Sequence, residues 1–164
     1  MSVSRRTIIG GGLTLGVLAL FRRSRAASPA KAKRFEVEKT DAEWKAQLSP
    51  AAYDVLRHEG TERAGTSPLL GEHRDGTFLC DGCALPLFSS KTKFESHTGW
   101  PSFYAPLANA VETTEDKSFM MVRIEVHCRR CGGHLGHVFD DGPQPTGLRY
   151  CMNGVALTFR PGSV

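Results

Sequence analysis

Residues 121–142 read MVRIEVHCRRCGGHLGHVFDDG, and the fold turns on how this stretch divides. Val122, Ile124 and Val126 alternate with Arg123, Glu125 and His127, a period of two that predicts a half-buried antiparallel strand with one wet face. Cys128 and Cys131 follow, with two residues between them and glycine after them, which permits a tight reversal. Apolar residues then resume in GHVF, a second strand. The order is strand, cysteine knuckle, strand, and it sets a β-rich reading for what surrounds it.

From Gly65 onward, frequent glycine and proline break the chain into short apolar runs, and GTFLC (76–80) and LRYCMNGVALTF (148–159) are the further strand candidates. Two helices precede them. TDAEWKAQL (40–48) opens with the capping-box pair Thr40 and Glu43 and carries apolar Ala42, Trp44 and Leu48. SPAAYDVLRHEG (49–60) offers Ser49 as N-cap, Pro50 at the first helical position and Gly60 as the stop. A chain of 164 residues supports one domain, here a mainly β body with two short helices packed at its N-terminal side.

The start of the chain is of another kind. SRRTIIGGGLTLGVLALFRRSRAASPA (4–30) joins twin arginines, an apolar run from Thr7 to Phe21, a second basic cluster and a small-residue stretch. The run is short for a membrane span, which needs roughly 20 residues, and it resembles a twin-arginine export signal. Residues 1–34 are therefore expected to be signal and linker, cleaved near Ala27 or Ala30, and residues 35–164 the functional domain, exported to the periplasm of a Gram-negative host and free of stable membrane contact. The competing expectation is an uncleaved leader that anchors the protein to the membrane.

The net charge of +4 belongs to that leader. Eight of the 21 basic residues and none of the 17 acidic ones lie in residues 1–34, leaving 13 basic against 17 acidic residues, a net of −4, for the body. An acidic body lacks the footprint of a nucleic-acid binder.

Four of the five cysteines form two pairs of the same spacing, Cys80 with Cys83 and Cys128 with Cys131. Two such knuckles make a closed tetrahedral thiolate site, which is structural because no position remains for water or substrate, and zinc is the ion it suits. It would tie together segments far apart in sequence. Two disulfides are the alternative in an oxidising compartment, though cysteines separated by two residues in a tight knuckle suit one poorly.

Cys151 is the cysteine left over. In a strand, LRYCMN places Arg149, Cys151 and Asn153 on one face and Leu148, Tyr150 and Met152 on the other. A guanidinium stabilises a neighbouring thiolate, the attacking form, and a carboxamide can bind backbone or substrate. GGHLGHVFDDG supplies His134, His137, Asp140 and Asp141, a proton source with an aspartate to orient it. Residues three apart face opposite sides of an ideal strand, so one histidine points elsewhere unless a bulge intervenes. SHTGWPSFY (96–104) adds Trp100, Phe103 and Tyr104, core aromatics or the wall of a small apolar pocket.

CDGC, TGWPSF and CRRCGGHLGHVFDDGPQPTGLRYCMN together resemble the methionine-R-sulfoxide reductases, the type B enzymes, over about Trp44 to Phe159. The resemblance implies two antiparallel β-sheets in a barrel-like or tent-like body with a four-cysteine zinc site, and reduction of R-methionine sulfoxide in peptides and proteins to methionine. It implies Cys151 as nucleophile, which becomes a sulfenic acid; His134, His137, Asp141, Arg149 and Asn153 as polar active-site groups; and His134 and His137 as candidates for protonating the sulfoxide oxygen. Trp100 and Phe103 match the pocket for the substrate methyl, and Cys80, Cys83, Cys128 and Cys131 the zinc ligands. One position departs from the family pattern: many members carry a resolving cysteine before the Gly-Trp-Pro-Ser-Phe run, where this chain has Thr98. The sulfenic acid then has to be reduced by an external, thioredoxin-like thiol. The protein is expected to act as a monomer on oxidised proteins and peptides. The alternatives are a non-catalytic zinc-knuckle binding module on the same fold, and a different thiol chemistry on the same scaffold.

Overall fold

The computed structural model describes residues 34–163, and the leader lies outside them. Among the described residues there are two α-helices, α1 (Asp41–Gln47) and α2 (Pro50–His58). The capping box forms as expected: Thr40 Oγ1 accepts from the Glu43 amide at 3.3 Å while the Glu43 carboxylate accepts from the Thr40 amide at 2.7 Å. Ser49 caps α2 by accepting from Ala52 N at 3.2 Å. The end of α2 differs from expectation, because the left-handed residue is Glu59, with φ 58°, and not Gly60. Gly60 follows it, and its amide donates to Asp54 O at 3.2 Å.

The strands are β1 (Gly76–Cys80), β2 (Pro86–Ser89), β3 (Lys93–Phe94), β4 (Ser102–Phe103), β5 (Val111–Asp116), β6 (Arg123–Cys128), β7 (His134–Phe139), β8 (Arg149–Met152) and β9 (Leu157–Pro161). They make two sheets, β2-β1-β9 and β3-β4-β8-β7-β6-β5. Every pairing is antiparallel. The stretch 148–159 is not one strand. It leaves the six-stranded sheet after Met152, turns through Gly154–Ala156 and enters the other sheet as β9, so Asn153 stands where the chain crosses over.

Side chains from both sheets meet in one core that includes Phe78, Phe88, Phe103, Leu135 and Met152, with Trp44, Val55 and Leu56 from the helices. Phe103 stacks on Phe88 at 4.4 Å between centroids and meets Phe78 edge-on at 4.9 Å. Helix α2 packs on β7 and on the turn that follows β8, which fixes the rear of the sheet that carries Cys151.

The faces of β6 run against the simple hydrophobic reading. Val126 is buried, but Ile124 is 40% and Val122 69% exposed, whereas His127 is buried and Arg123 and Glu125 are half-buried. The polar face of this strand is turned toward the functional site, and its apolar face runs out past the edge of the core.

Candidate active site

Cys151 lies in β8 with Ser102 of β4 beside it on one flank and His137 of β7 on the other. Its thiol is partly exposed, and Thr98 Oγ1 stands 3.8 Å from Sγ. Behind Thr98 the hydroxyls continue to Ser96 at 2.8 Å and on to Ser102 at 2.7 Å, and Ser102 donates to Trp100 O. Hydroxyls both donate and accept. With the Ser102 proton given to Trp100 O, Ser96 donates to Ser102 and Thr98 to Ser96, so Thr98 faces the sulfur as an acceptor, suited to the thiol.

A cleft of about 120 Å3 opens over the sulfur, lined by Trp100, His137, Phe139, Arg123 and Asn153 among others. A cavity of about 150 Å3 takes benzene, so this one has the size for the end of a single side chain. Phe139 supplies the second aromatic wall. Phe103, the sequence candidate for that place, is fully buried in the core and does not line the cleft.

The two histidines are brought together by a bulge. Val126 pairs with Gly136 but its neighbour His127 pairs with His134, so Leu135 is an extra residue in β7. His134 and His137 thereby share a face, with ring centroids 5.4 Å apart. Gly136 belongs to the same device, because a Cβ there would strike the carbonyl oxygen of Cys151. Each ring is held by a carboxylate from the neighbouring strands: His134 Nδ1 donates to Glu125 at 2.9 Å, and His137 Nε2 to Asp116 at 2.9 Å. The hydrogen bond from His134 holds Glu125 below its ordinary range, and bonds from Ser118, then from His137 and Arg123, do the same for Asp116. Burial pushes His137 down despite Asp116. His134 Nε2 is buried and has no hydrogen-bond partner among the described residues. Asp141, the aspartate picked out in the sequence, serves neither histidine. It takes Arg149 in a two-point ion pair at 2.8 and 2.7 Å, and the guanidinium lies over Phe139 at 4.4 Å. That pair fixes the aromatic wall.

Asn153 faces the cleft but its amide is committed to the backbone: Nδ2 donates to Leu135 O at 3.1 Å, and Oδ1 accepts from Glu62 N at 2.9 Å. Glu62 also accepts Trp100 Nε1 on its carbonyl at 3.1 Å, and its carboxylate takes the amides of Gly154 and Val155. The segment after α2 thus clamps both Trp100 and Asn153, and Thr61 enters the cleft lining. Sequence reasoning missed Thr61, Glu62, Asp116 and Glu125. No spacing rule flags them, because Glu62, Asp116 and Glu125 find their partners in other segments of the chain.

At the far side of the fold the ligand atoms of Cys80, Cys83, Cys128 and Cys131 lie within 4.8 Å of one another. Cys80 to Cys131 is 3.7 Å and Cys83 to Cys128 is 3.5 Å. All are free thiols, too far apart for disulfides. Four sulfurs about 2.3 Å from a tetrahedral ion would be separated by about 3.8 Å, so the set fits zinc. β1 ends at Cys80 and β6 at Cys128; an ion held there would join the two sheets.

The SelR domain family matches residues 48–161. Curated relatives carry the name peptide methionine sulfoxide reductase MsrB. The chain is 56% identical to one from Thiobacillus denitrificans over 75% of its own length and 94% of the relative's. It is 51% identical to one from Leptospira interrogans over 77% and 97%, and 54% identical to one from Methanosarcina barkeri over 76% and 88%. Among solved structures, the Mis18 "Yippee-like" domain aligns with 56% of this chain and all of its own at 20% identity and a TM-score of 0.45.

Proposed function

The chain belongs to the SelR-domain family, that of the MsrB peptide methionine sulfoxide reductases, and on that premise we propose that it reduces R-methionine sulfoxide in peptides and proteins through Cys151. The observation that carries this reading is the meeting of Cys151, His137 and Trp100 on one cleft sized for a side-chain end. The Cys151 thiolate attacks the sulfoxide sulfur, one proton passes to the oxygen, and the oxygen then moves to the cysteine sulfur as its bond to the substrate sulfur and the new sulfur–sulfur bond break, releasing methionine and leaving Cys151 as a sulfenic acid. The proton comes from the pair His134 and His137, each oriented by a carboxylate, of which His137 lines the cleft. Trp100 and Phe139 enclose the methyl group and shield the sulfur from water.

An external thiol then attacks the sulfenic acid, releasing water and leaving a mixed disulfide that a second thiol resolves. Thr98 occupies the place from which an internal cysteine would act, 3.8 Å from Sγ. Thr98→Cys is expected to form an intramolecular disulfide with Cys151 within one turnover, while the unaltered chain forms none. Mass spectrometry of alkylated peptides checks this, and a Cys151 disulfide to a knuckle cysteine in the unaltered chain would refute the external-thiol route. Zinc in the four-cysteine set is structural, holding β1 to β6. The twin-arginine leader supports export, in which a folded, metal-loaded domain reaches the periplasm.

Separated R and S epimers of N-acetyl methionine sulfoxide, with dithiothreitol as reductant, test the activity. Turnover of R alone is expected. A zinc-loaded, folded chain that reduces neither epimer sinks the proposal.

A further inference from the structure

Resting on that reading of the activity, we propose that Thr98 serves the second half-reaction. Its hydroxyl accepts a hydrogen bond from the sulfenic acid on Cys151 and turns the oxygen away from the cleft, so that the reducing thiol attacks through the space the methionine has left. The hydroxyl chain behind Thr98 sets the direction of that bond. It ends on Trp100 O, which only accepts, so each hydroxyl donates toward that carbonyl and Thr98 keeps its free lone pair for the sulfur. A thiol is a weak donor, and the O–H of a sulfenic acid is a strong one in the same place. The spacing suits the intermediate: an O–H···O bond needs about 2.7 Å between oxygens, and one bent sulfur–oxygen bond behind it puts the sulfur near the 3.8 Å at which Thr98 Oγ1 stands.

The cleft lies on the other flank of the sulfur. Cys151 pairs with Ser102 of β4, a member of the hydroxyl chain, on one side and with His137 of β7 on the other. Gly136, His137 and Phe139 of β7 and Arg123 of β6 line the cleft, and Thr98 does not. A thiolate displaces oxygen from sulfur in line with the bond that breaks. With the oxygen tied to Thr98, that line of entry runs through the vacated cleft. The new sulfur–sulfur bond forms, the sulfur–oxygen bond breaks, and the oxygen takes the proton of the incoming thiol and leaves as water. Arg149, on the same strand face as Cys151 and paired with Asp141, favours the anionic form of the sulfenic acid. An acceptor at Thr98 favours the neutral form, whose hydroxyl is the better leaving group.

The two half-reactions can be read separately. Methionine leaves before the thiol reacts, so kcat/KM for the sulfoxide reports the first and kcat/KM for the thiol the second. Thr98→Val keeps the branched shape and removes the hydroxyl. It is expected to lower kcat/KM for dithiothreitol about tenfold, the scale of one hydrogen bond. The step with N-acetyl methionine R-sulfoxide should not slow, because losing an acceptor from the thiol favours the thiolate. Thr98→Ser, which restores the hydroxyl, should keep the dithiothreitol constant within about twofold of the unaltered chain. A dithiothreitol constant unchanged in Thr98→Val overturns the role of Thr98. So does an equal fall in both constants, which marks a structural fault, or a Thr98→Ser variant as slow as Thr98→Val. Those outcomes leave the activity standing. If the unaltered chain without reductant releases no methionine from N-acetyl methionine R-sulfoxide, the reading of the activity falls, and the role of Thr98 with it.

Discussion

Cys151→Ser is expected to lower turnover of R-methionine sulfoxide by at least about 10^4-fold, roughly 5.5 kcal/mol of transition-state stabilisation. The change removes one step and leaves the rest. Serine is smaller by little, and the thiol is partly exposed at the mouth of the cleft, so neither packing nor the distant four-cysteine set is disturbed. Trp100 stays fixed by its bond to Glu62 O and Asn153 by its bonds to Leu135 O and Glu62 N. Substrate affinity should therefore persist while chemistry stops. In the unaltered chain, substrate without reductant should yield one methionine per protein and a mass gain of about 16 Da at Cys151, the oxygen of a sulfenic acid. Stopped turnover, tight binding and no mass gain in the variant complete the expected result. A variant that keeps more than about a hundredth of the activity, with ΔΔG‡ under about 3 kcal/mol, would move the nucleophile elsewhere.

That expectation rests on a residue legible in the sequence, and the contrast with its partners is instructive. Cys151 stood out because four other cysteines paired off at a local spacing, and Arg149 shares its strand face. Local spacing also revealed the capping box of α1 and the strands on either side of the second knuckle. The supports of the site are of another kind. Asp116 reaches His137 from 21 residues away and Glu62 reaches Gly154 from 92, contacts made by sheet order and a crossover that no period encodes. β5 escaped notice because VETTED is a polar edge strand whose pairing is with β6 backbone along its whole length. Nearness in sequence suggested Asp140 or Asp141 as the partner of a histidine, yet Arg149 takes Asp141 and the histidines take Glu125 and Asp116. Phe103 and Phe139 are both apolar strand residues, and only the packing of Phe78 and Phe88 puts the first in the core and leaves the second for the cleft.

Removal of the metal is expected to undo the fold and the activity together. Cys80 and Cys128 end strands of different sheets, and both are buried, so four uncompensated thiols would be left packed within 4.8 Å of one another. Structural zinc contributes about 10 kcal/mol or more to small zinc domains. Even a third of that would lower the melting temperature by about 10 °C in a domain of this size. Cys128→Ser, which removes one thiolate ligand at a fully buried position, should lose bound zinc, melt at least that much lower and lose activity although Cys151 is intact. Thiol counting separates this from a catalytic effect. In the native protein a thiol-specific reagent should find one fast-reacting cysteine, Cys151, and all five only after chelation in denaturant. Two disulfides instead of zinc would give one reactive thiol in denaturant as well, and no metal on analysis. Equal reactivity of all five in the folded protein would remove the metal from the account, and the hold of β1 on β6 would have to come from the core alone.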